Sequence, residues 1–479
     1  MLDVCFKDHI QILKYKINHS LSKLTTSNWW EKDPLYTADQ KKDIAFCYET
    51  LHNVSRSFSK TIADLPPVLS LDFMVCYLVL RALDTVEDDV DAFNKDIQKR
   101  CVCIENFYKT FTCYHDIGEN KYKSLMKNYD RVGRVFNLLP SESQKLIKTI
   151  CKDMGKGMVK YVKKNYTIDT IKQYNEYCHI VAGNVGTVFT KLVVVHGYES
   201  SELLDYCKTE KSELHSFGGY EKSVGLFLQK TKCIRDYYKN IPESTCWWPK
   251  EIWKKHKNSI TDMGYDTASR ACLNELVLDA LILIPDIIKF HCHLKSFTFR
   301  RWISVPSLMA IATLDACFDN PQVFKKNVKI SKDDAIRVFL KCDTLETFLE
   351  EFSCYLKNIK NKIPLNDPNY INIRDACDKG IACCIQHSKT KEKEAQHCCF
   401  IHCLLHFISK CGWVLLISLI ISSMLSTFIF SLKSSIVEEL RSNAMHGAWV
   451  GASQAVISAT SNTEQPIKTK MKKKKKKKI

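Results

Sequence analysis

Residues 71 to 90, LDFMVCYLVLRALDTVEDDV, contain neither glycine nor proline and run from a mostly apolar stretch into a cluster of acids. Such a run is best accommodated as a helix, and on a helix side chains three and four apart share a face. Asp84, Glu87 and Asp88 then point together, with Arg81 on much the same side. Carboxylates held this close repel one another unless a cation joins them, and Mg²⁺ prefers hard oxygen ligands. The segment therefore predicts a buried helix whose acidic end faces a cavity that takes a divalent metal. An isolated acidic helix end is more often simply solvated, so the reading depends on what the rest of the chain carries.

The remaining sequence extends the helical expectation. Only 15 glycines and 12 prolines serve 479 residues, too few for the frequent turns of a sandwich or barrel. An all-α fold is expected, with a single large helical domain. The formal charge of +17 favours anionic partners, whether diphosphate, membrane lipid or nucleic acid. Much of that excess sits in Lys468, Lys470 and the run Lys472 to Lys478, which leaves little ground for a nucleic-acid partner, and none is expected. Twenty-three cysteines in a chain with no basic-apolar-small leader suit reduced thiols in the cytosol, not a secreted disulfide scaffold. Cys398, Cys399 and Cys403 among His397, His402 and His406 read as small residues on a helix entering a bilayer.

From Cys411 to Leu432 lie 22 uncharged residues between Lys410 and Lys433. As a helix they would span roughly 33 Å, enough to cross a bilayer, with Trp413 and the flanking lysines as interfacial anchors. The expected organisation is an N-terminal arm over 1–40, a catalytic domain over 41–365, a linker and juxtamembrane segment over 366–410, a transmembrane anchor over 411–432 and a basic tail over 433–479.

Family resemblance enters with SRSFSKTI at 55–62 followed by YLVLRALDTVEDD at 77–89, which is similar to the first signature of squalene and phytoene synthases. The resemblance implies an isoprenoid-synthase-type helical domain around a central cavity. It assigns Mg²⁺ binding to Asp84, Glu87 and Asp88, and lining of the substrate site to Ser55, Arg56, Ser57, Phe58, Tyr77 and Arg81. A second segment, YCHIVAGNVGTVFTKL at 177–192, reads as one central helix whose small residues Ala182, Gly183 and Gly186 admit either another helix or an isoprenoid chain. It resembles the family's YCHYVAGLVG motif, which gives Tyr177 a part in proton transfer and sets Ala182 and Gly186 against substrate. Asn184 and Phe189 would shape the same pocket.

The third segment, GLFLQKTKCIRDYYKN at 225–240, has helical spacing, with Gln229, Lys232, Asp236 and Asn240 along one face. It resembles the family's second metal segment, FLQKTNIIRDYLED, but keeps Asp236 as its one carboxylate among the ligand positions. Lys232 and Asn240 raise the local charge by about two units, so Asp236 and Asn240 are expected to hold metal weakly while Lys232 meets a diphosphate. Finally, WISVPSLMAIATLDACFDNPQVFKKNVKI at 302–330 is similar to the family's third region, where Trp302 replaces a usual phenylalanine. By resemblance NADPH would be contacted by Arg56, Arg81, Arg235 and Lys329, while Ser331 stands where the family commonly has arginine. No GxGxxG fingerprint is present, so nicotinamide binding would not be of the Rossmann kind.

The resemblance thus implies a Mg²⁺-dependent prenyltransferase of isoprenoid and sterol biosynthesis. It condenses two farnesyl diphosphates head to head through presqualene diphosphate to squalene, with catalytic residues Tyr177, Asp84, Asp88 and Asp236. The enzyme is expected to be a monomer anchored by its C-terminal helix in the endoplasmic reticulum membrane, catalytic domain in the cytosol. Two alternatives stay open at this point: a diverged relative that stops at presqualene diphosphate or makes another terpene without NADPH, and a non-catalytic membrane-bound scaffold.

Overall fold

In the computed structural model of the chain, the described residues are 28–241 and 246–388, with the backbone alone at Arg56 and Ser57. The expected anchor at 411–432, the cysteine and histidine cluster and the basic tail lie outside them. Among the described residues there is no strand beyond an isolated bridge between Lys211 and Gly219.

The helices that build the site are α1 (Ala38–Val54), α2 (Arg56–Ala63), α3 (Pro67–Asp88), α4 (Ile97–Asn106), α5 (Ser141–Val162), α6 (Ile171–Cys178), α7 (Asn184–Val195), α8 (Tyr220–Arg235), α9 (Thr267–Leu281), α10 (Ile284–His293), α11 (Phe297–Cys317), α12 (Lys332–Leu340) and α13 (Leu345–Asn361). Local chemistry starts several of them. Thr37 and Gln40 form a capping box at the head of α1, and Pro67 begins α3 where a missing N–H costs nothing. Buried residues occur all round α3 from Leu69 to Glu87, the mark of an interior helix. Around it, α5 packs against α3, α4 and α7, while α8 packs against α7, α9, α10 and α11.

The central segment is not one regular helix. Between α6 and α7 the chain makes a π-helical turn, His179–Gly183. This turn lies directly against α8: a Cβ on Gly225 would stand 2.3 Å from the Ala182 carbonyl oxygen and 2.7 Å from Gly183 Cα, so the two backbones touch. A Cβ on Gly186 would likewise meet the Glu221 carbonyl oxygen at 2.4 Å. The small residues of this segment thus serve close approach of α8. The run Ile171–Val195 is long and apolar enough to cross a membrane, yet here it packs against α5 and α8. Ile180, Val181, Ala182 and Val185 are only partly buried although central in the fold, so this helix borders an open cleft.

Two further expectations change. The helix read over 225–240 ends at Arg235; Asp236 is its C-cap at φ −92° and ψ 10°, and Tyr237–Asn240 forms a separate turn. Neighbouring side chains do not face each other on a regular helix, and Arg235 pairs with Asp236 where the chain leaves it. The linker expected from 366 begins with a packed helix over 370–388, in which Ile373 and Cys377 are fully buried. The Nδ2 of Asn274 donates to Oδ2 of Asp367 at 2.8 Å and ties this part to α9. At the other end, α1 runs across the expected boundary at residue 40.

Candidate active site

The carboxylates gather at the C-terminal end of α3. Arg81 pairs with Asp84 and reaches the Tyr77 hydroxyl at 3.4 Å, while its guanidinium lies over the Tyr77 and Tyr122 rings. Glu87 is buried, and its Oε1 has no hydrogen-bond partner. Its backbone carbonyl accepts from Arg100 at 3.2 Å and from the Tyr166 hydroxyl at 3.3 Å, which fixes the helix end. Burial, and then the charges of Asp88 and Asp84, push the Glu87 carboxyl well above the usual carboxylate range. Asp88 is exposed to the cleft, yet enough protein surrounds it for desolvation, followed by Asp84, to push its pKa up to about 7.

Those properties bear on a divalent metal. Among the described residues no three His, Cys, Asp or Glu side chains stand together as a ready-made cage. Mg²⁺, however, is commonly held by one or two carboxylates plus substrate phosphates, not by an all-protein cage. An orphaned carboxylate oxygen on Glu87 beside two mutually repelling aspartates fits such a site.

Across the cleft, α8 presents the second set. The side chain of Lys232 is exposed. Desolvation is the largest influence on its ammonium and opposes charge, but Asp84 above all, with Asp88, raises its pKa. Both oxygens of Asp236 accept from Arg235, Oδ1 from Nε at 2.7 Å and Oδ2 from an Nη at 3.0 Å. Asn240 is partly buried in the following turn, and Gln229 is buried with its Nε2 directed at the Cys233 sulfur, 3.7 Å away.

Tyr177 is buried at the end of α6, with its ring flat against Trp247 at 3.8 Å between centroids and 8° between planes. Tyr161 meets it edge-on at 5.3 Å. Burial first, then the charge of Glu87, holds the phenol well above its ordinary pKa. Neither Trp247 nor Tyr166, which meets Trp247 edge-on at 5.3 Å, was singled out by motif or spacing, because both come from connecting segments. Arg100, within α4, acts through the backbone carbonyl of Glu87, a contact that leaves no pattern in sequence.

A third wall is aromatic. Trp302 on α11 lies 4.7 Å from Phe73, 4.9 Å from Phe189 and 6.5 Å from Phe58, which itself stands 5.7 Å from Tyr77. The Trp302 indole nitrogen is buried without a partner. Ser55 accepts from the Phe58 N–H at 3.3 Å and so caps α2, orienting Phe58 towards this wall. Of Arg56 and Ser57 the backbone stands in the first turn of α2. Ala182 and Gly186 sit on the central segment against α8, as described above. Lys329 is exposed in the segment before α12, and Ser331 caps α12, accepting from Asp334 N–H at 3.0 Å.

Comparison with known proteins converges on one family. The squalene/phytoene synthase family profile matches residues 51–334. Squalene synthase 1 of Arabidopsis thaliana is 36% identical over 330 residues, covering 68% of this chain and 77% of that protein. The squalene synthase of Schizosaccharomyces pombe is 34% identical over 365 residues, 73% of this chain and 76% of its own length. Among solved structures, the complex of TcSQS with the ligand E5700 superposes with a TM-score of 0.66 and 31% identity, covering 72% of this chain and 99% of that one.

Proposed function

We propose that this chain, which belongs to the squalene/phytoene synthase family, joins two farnesyl diphosphates head to head through presqualene diphosphate and delivers squalene. The observation that carries the reading is the link from a buried tyrosine, Tyr177, to the acidic end of α3: its ring stacks on Trp247, which meets Tyr166, whose hydroxyl donates to the Glu87 carbonyl. A proton-holding group beside a diphosphate-binding end is what the coupling step needs.

Asp84, Glu87 and Asp88 form the pole that orients the ionising diphosphate, and Mg²⁺, when bound there, supplies the charge that stabilises the leaving group. Arg81 can exchange its Asp84 partner for a phosphate oxygen without moving far along the same helix face. Ionisation leaves an allylic cation, and the faces of Phe58, Phe73, Phe189 and Trp302 offer it π density in a water-poor wall. Formation of the carbon–carbon bond and loss of a proton close the cyclopropane of presqualene diphosphate. Tyr177 stays a neutral phenol in the free protein, so it takes part in that proton transfer only while positive charge next to it, or the departed diphosphate, assists.

Rearrangement of the second cation ends with hydride addition, and NADPH, when bound, supplies that hydride. Arg81 is a cation whose carboxylate partner phosphate can replace, Arg235 has guanidinium N–H groups left over from its pair with Asp236, and exposed Lys329 adds a third; Arg56 completes the proposed set. Ser331 is engaged in capping α12, so this chain does without a cation there. The uncharged segment 411–432 supports anchoring in the endoplasmic reticulum membrane with a cytosolic catalytic domain. Product analysis with farnesyl diphosphate, Mg²⁺ and NADPH tests the whole reading.

A further inference from the structure

The segment at 225–240, which resembles the family's second metal segment, keeps one carboxylate, Asp236, among its ligand positions. Its three ligand positions stand one turn apart: Asp236 N–H donates to the Lys232 carbonyl at 2.9 Å and Asn240 N–H to the Asp236 carbonyl at 3.0 Å. The turn-by-turn hydrogen bonds therefore continue past the end of α8, but two of the three positions carry no carboxylate. Both oxygens of the sole carboxylate, Asp236, already accept from Arg235. Asn240 brings a dipole where a charge would be needed to hold a divalent ion tightly.

Lys232 stands one turn before Asp236 with its side chain exposed, so its ammonium is available beside the second segment, and the charges of Asp84 and Asp88 favour its protonated form. A divalent ion placed at the second segment would share its surroundings with an ammonium and a guanidinium, and like charges in a partly desolvated cleft repel strongly. An ammonium on a flexible stem, by contrast, is itself a common partner of phosphate. Resting on the prenyl-diphosphate reading above, we propose that the second segment binds no divalent cation and that Lys232 serves there as a fixed cation for a substrate diphosphate. The complex would then hold fewer metal ions than one with two acidic poles.

Mn²⁺ counting tests this without turnover. The full-length chain in detergent is titrated with Mn²⁺ in the presence of farnesyl S-thiolodiphosphate, whose bridging sulfur resists ionisation, and free Mn²⁺ is read by electron paramagnetic resonance. Wild type and Lys232→Arg should bind the same number of ions, and the double variant Lys232→Asn with Asn240→Asp should gain one more per bound analogue. Equal counts in wild type and the double variant overturn the proposal. If the double variant loses its helical circular dichroism, Asp236→Asn decides: removal of the segment's one carboxylate should leave the wild-type count unchanged, and loss of an ion overturns the proposal. An analogue that binds to no form of the protein overturns the prenyl-diphosphate reading itself, and with it this inference.

Discussion

The ring of Trp247 lies flat on the ring of Tyr177, 3.8 Å between centroids and 8° from parallel. The same indole meets Tyr166 edge-on, and the Tyr166 hydroxyl donates to the Glu87 carbonyl at 3.3 Å. One tryptophan thus links the proposed proton-transfer tyrosine to the end of the helix that carries the acidic pole. Its own position, one residue beyond Cys246, makes the segment after α8 a part of the site.

Trp247→Ala should free the Tyr177 ring and lower kcat by about 100-fold, the scale that a misplacement of roughly 1 Å exacts, with KM little changed. Trp247→Phe keeps a flat ring against Tyr177 and should stay within about fivefold of wild type. Steady-state kinetics with farnesyl diphosphate check the split. Equal losses in both variants would mean that the stack does not position the tyrosine.

Gly225→Ala should be strongly destabilising, because the new methyl would meet the backbone of Ala182 and Gly183, atoms that no side-chain rotation can move aside. A cost of about 3 kcal/mol is expected, at the upper end of ordinary overpacking. Urea denaturation measures it, and a cost below about 1 kcal/mol would show that the π-helical turn can relax away from α8.

Lys230 and Asp279 form a buried ion pair, Nζ to Oδ2 at 2.7 Å, with Lys230 1% exposed. Lys230→Met leaves the aspartate buried without its partner and should cost about 3–5 kcal/mol. Lys230→Met with Asp279→Leu removes both charges and should recover most of the loss, read in the same denaturation experiment.

His291 is fully buried, its Nδ1–H donating to the Ile287 carbonyl at 2.7 Å and its ring stacked on Phe348 at 4.5 Å. Burial lowers its pKa from 6.5 to about 4. A depressed histidine pKa means that the unfolded chain binds the proton more readily. Its stabilising contribution is therefore complete above about pH 6.5 and is lost as pH falls towards 4. His291→Phe should flatten that part of the stability profile between pH 7 and pH 4.5, measured by denaturant midpoints. An unchanged acid slope would assign it to other groups.

These residues mark what could and could not be read in advance. Asp84, Glu87 and Asp88 were legible because their spacing on one helix face fixes their direction before any tertiary contact exists. Tyr177 and Trp302 came from motif resemblance, and the structure brings their neighbours into view. The π-helical turn was not legible, since its closest backbone neighbour, Gly225, lies on a different helix some forty residues on. Regular helical spacing sets Asp236 apart from Arg235, and their bidentate contact became visible only with the helix break between them. Trp247 reaches Tyr177 from seventy residues away, with no periodicity to announce it.

Identification of the product from the full-length protein, incubated with farnesyl diphosphate and Mg²⁺ with and without NADPH, tests the central claim most directly. Squalene should form when NADPH is present, and presqualene diphosphate should accumulate when it is left out. A different terpene formed equally well without NADPH, or farnesyl diphosphate recovered unchanged under both conditions, would contradict the account.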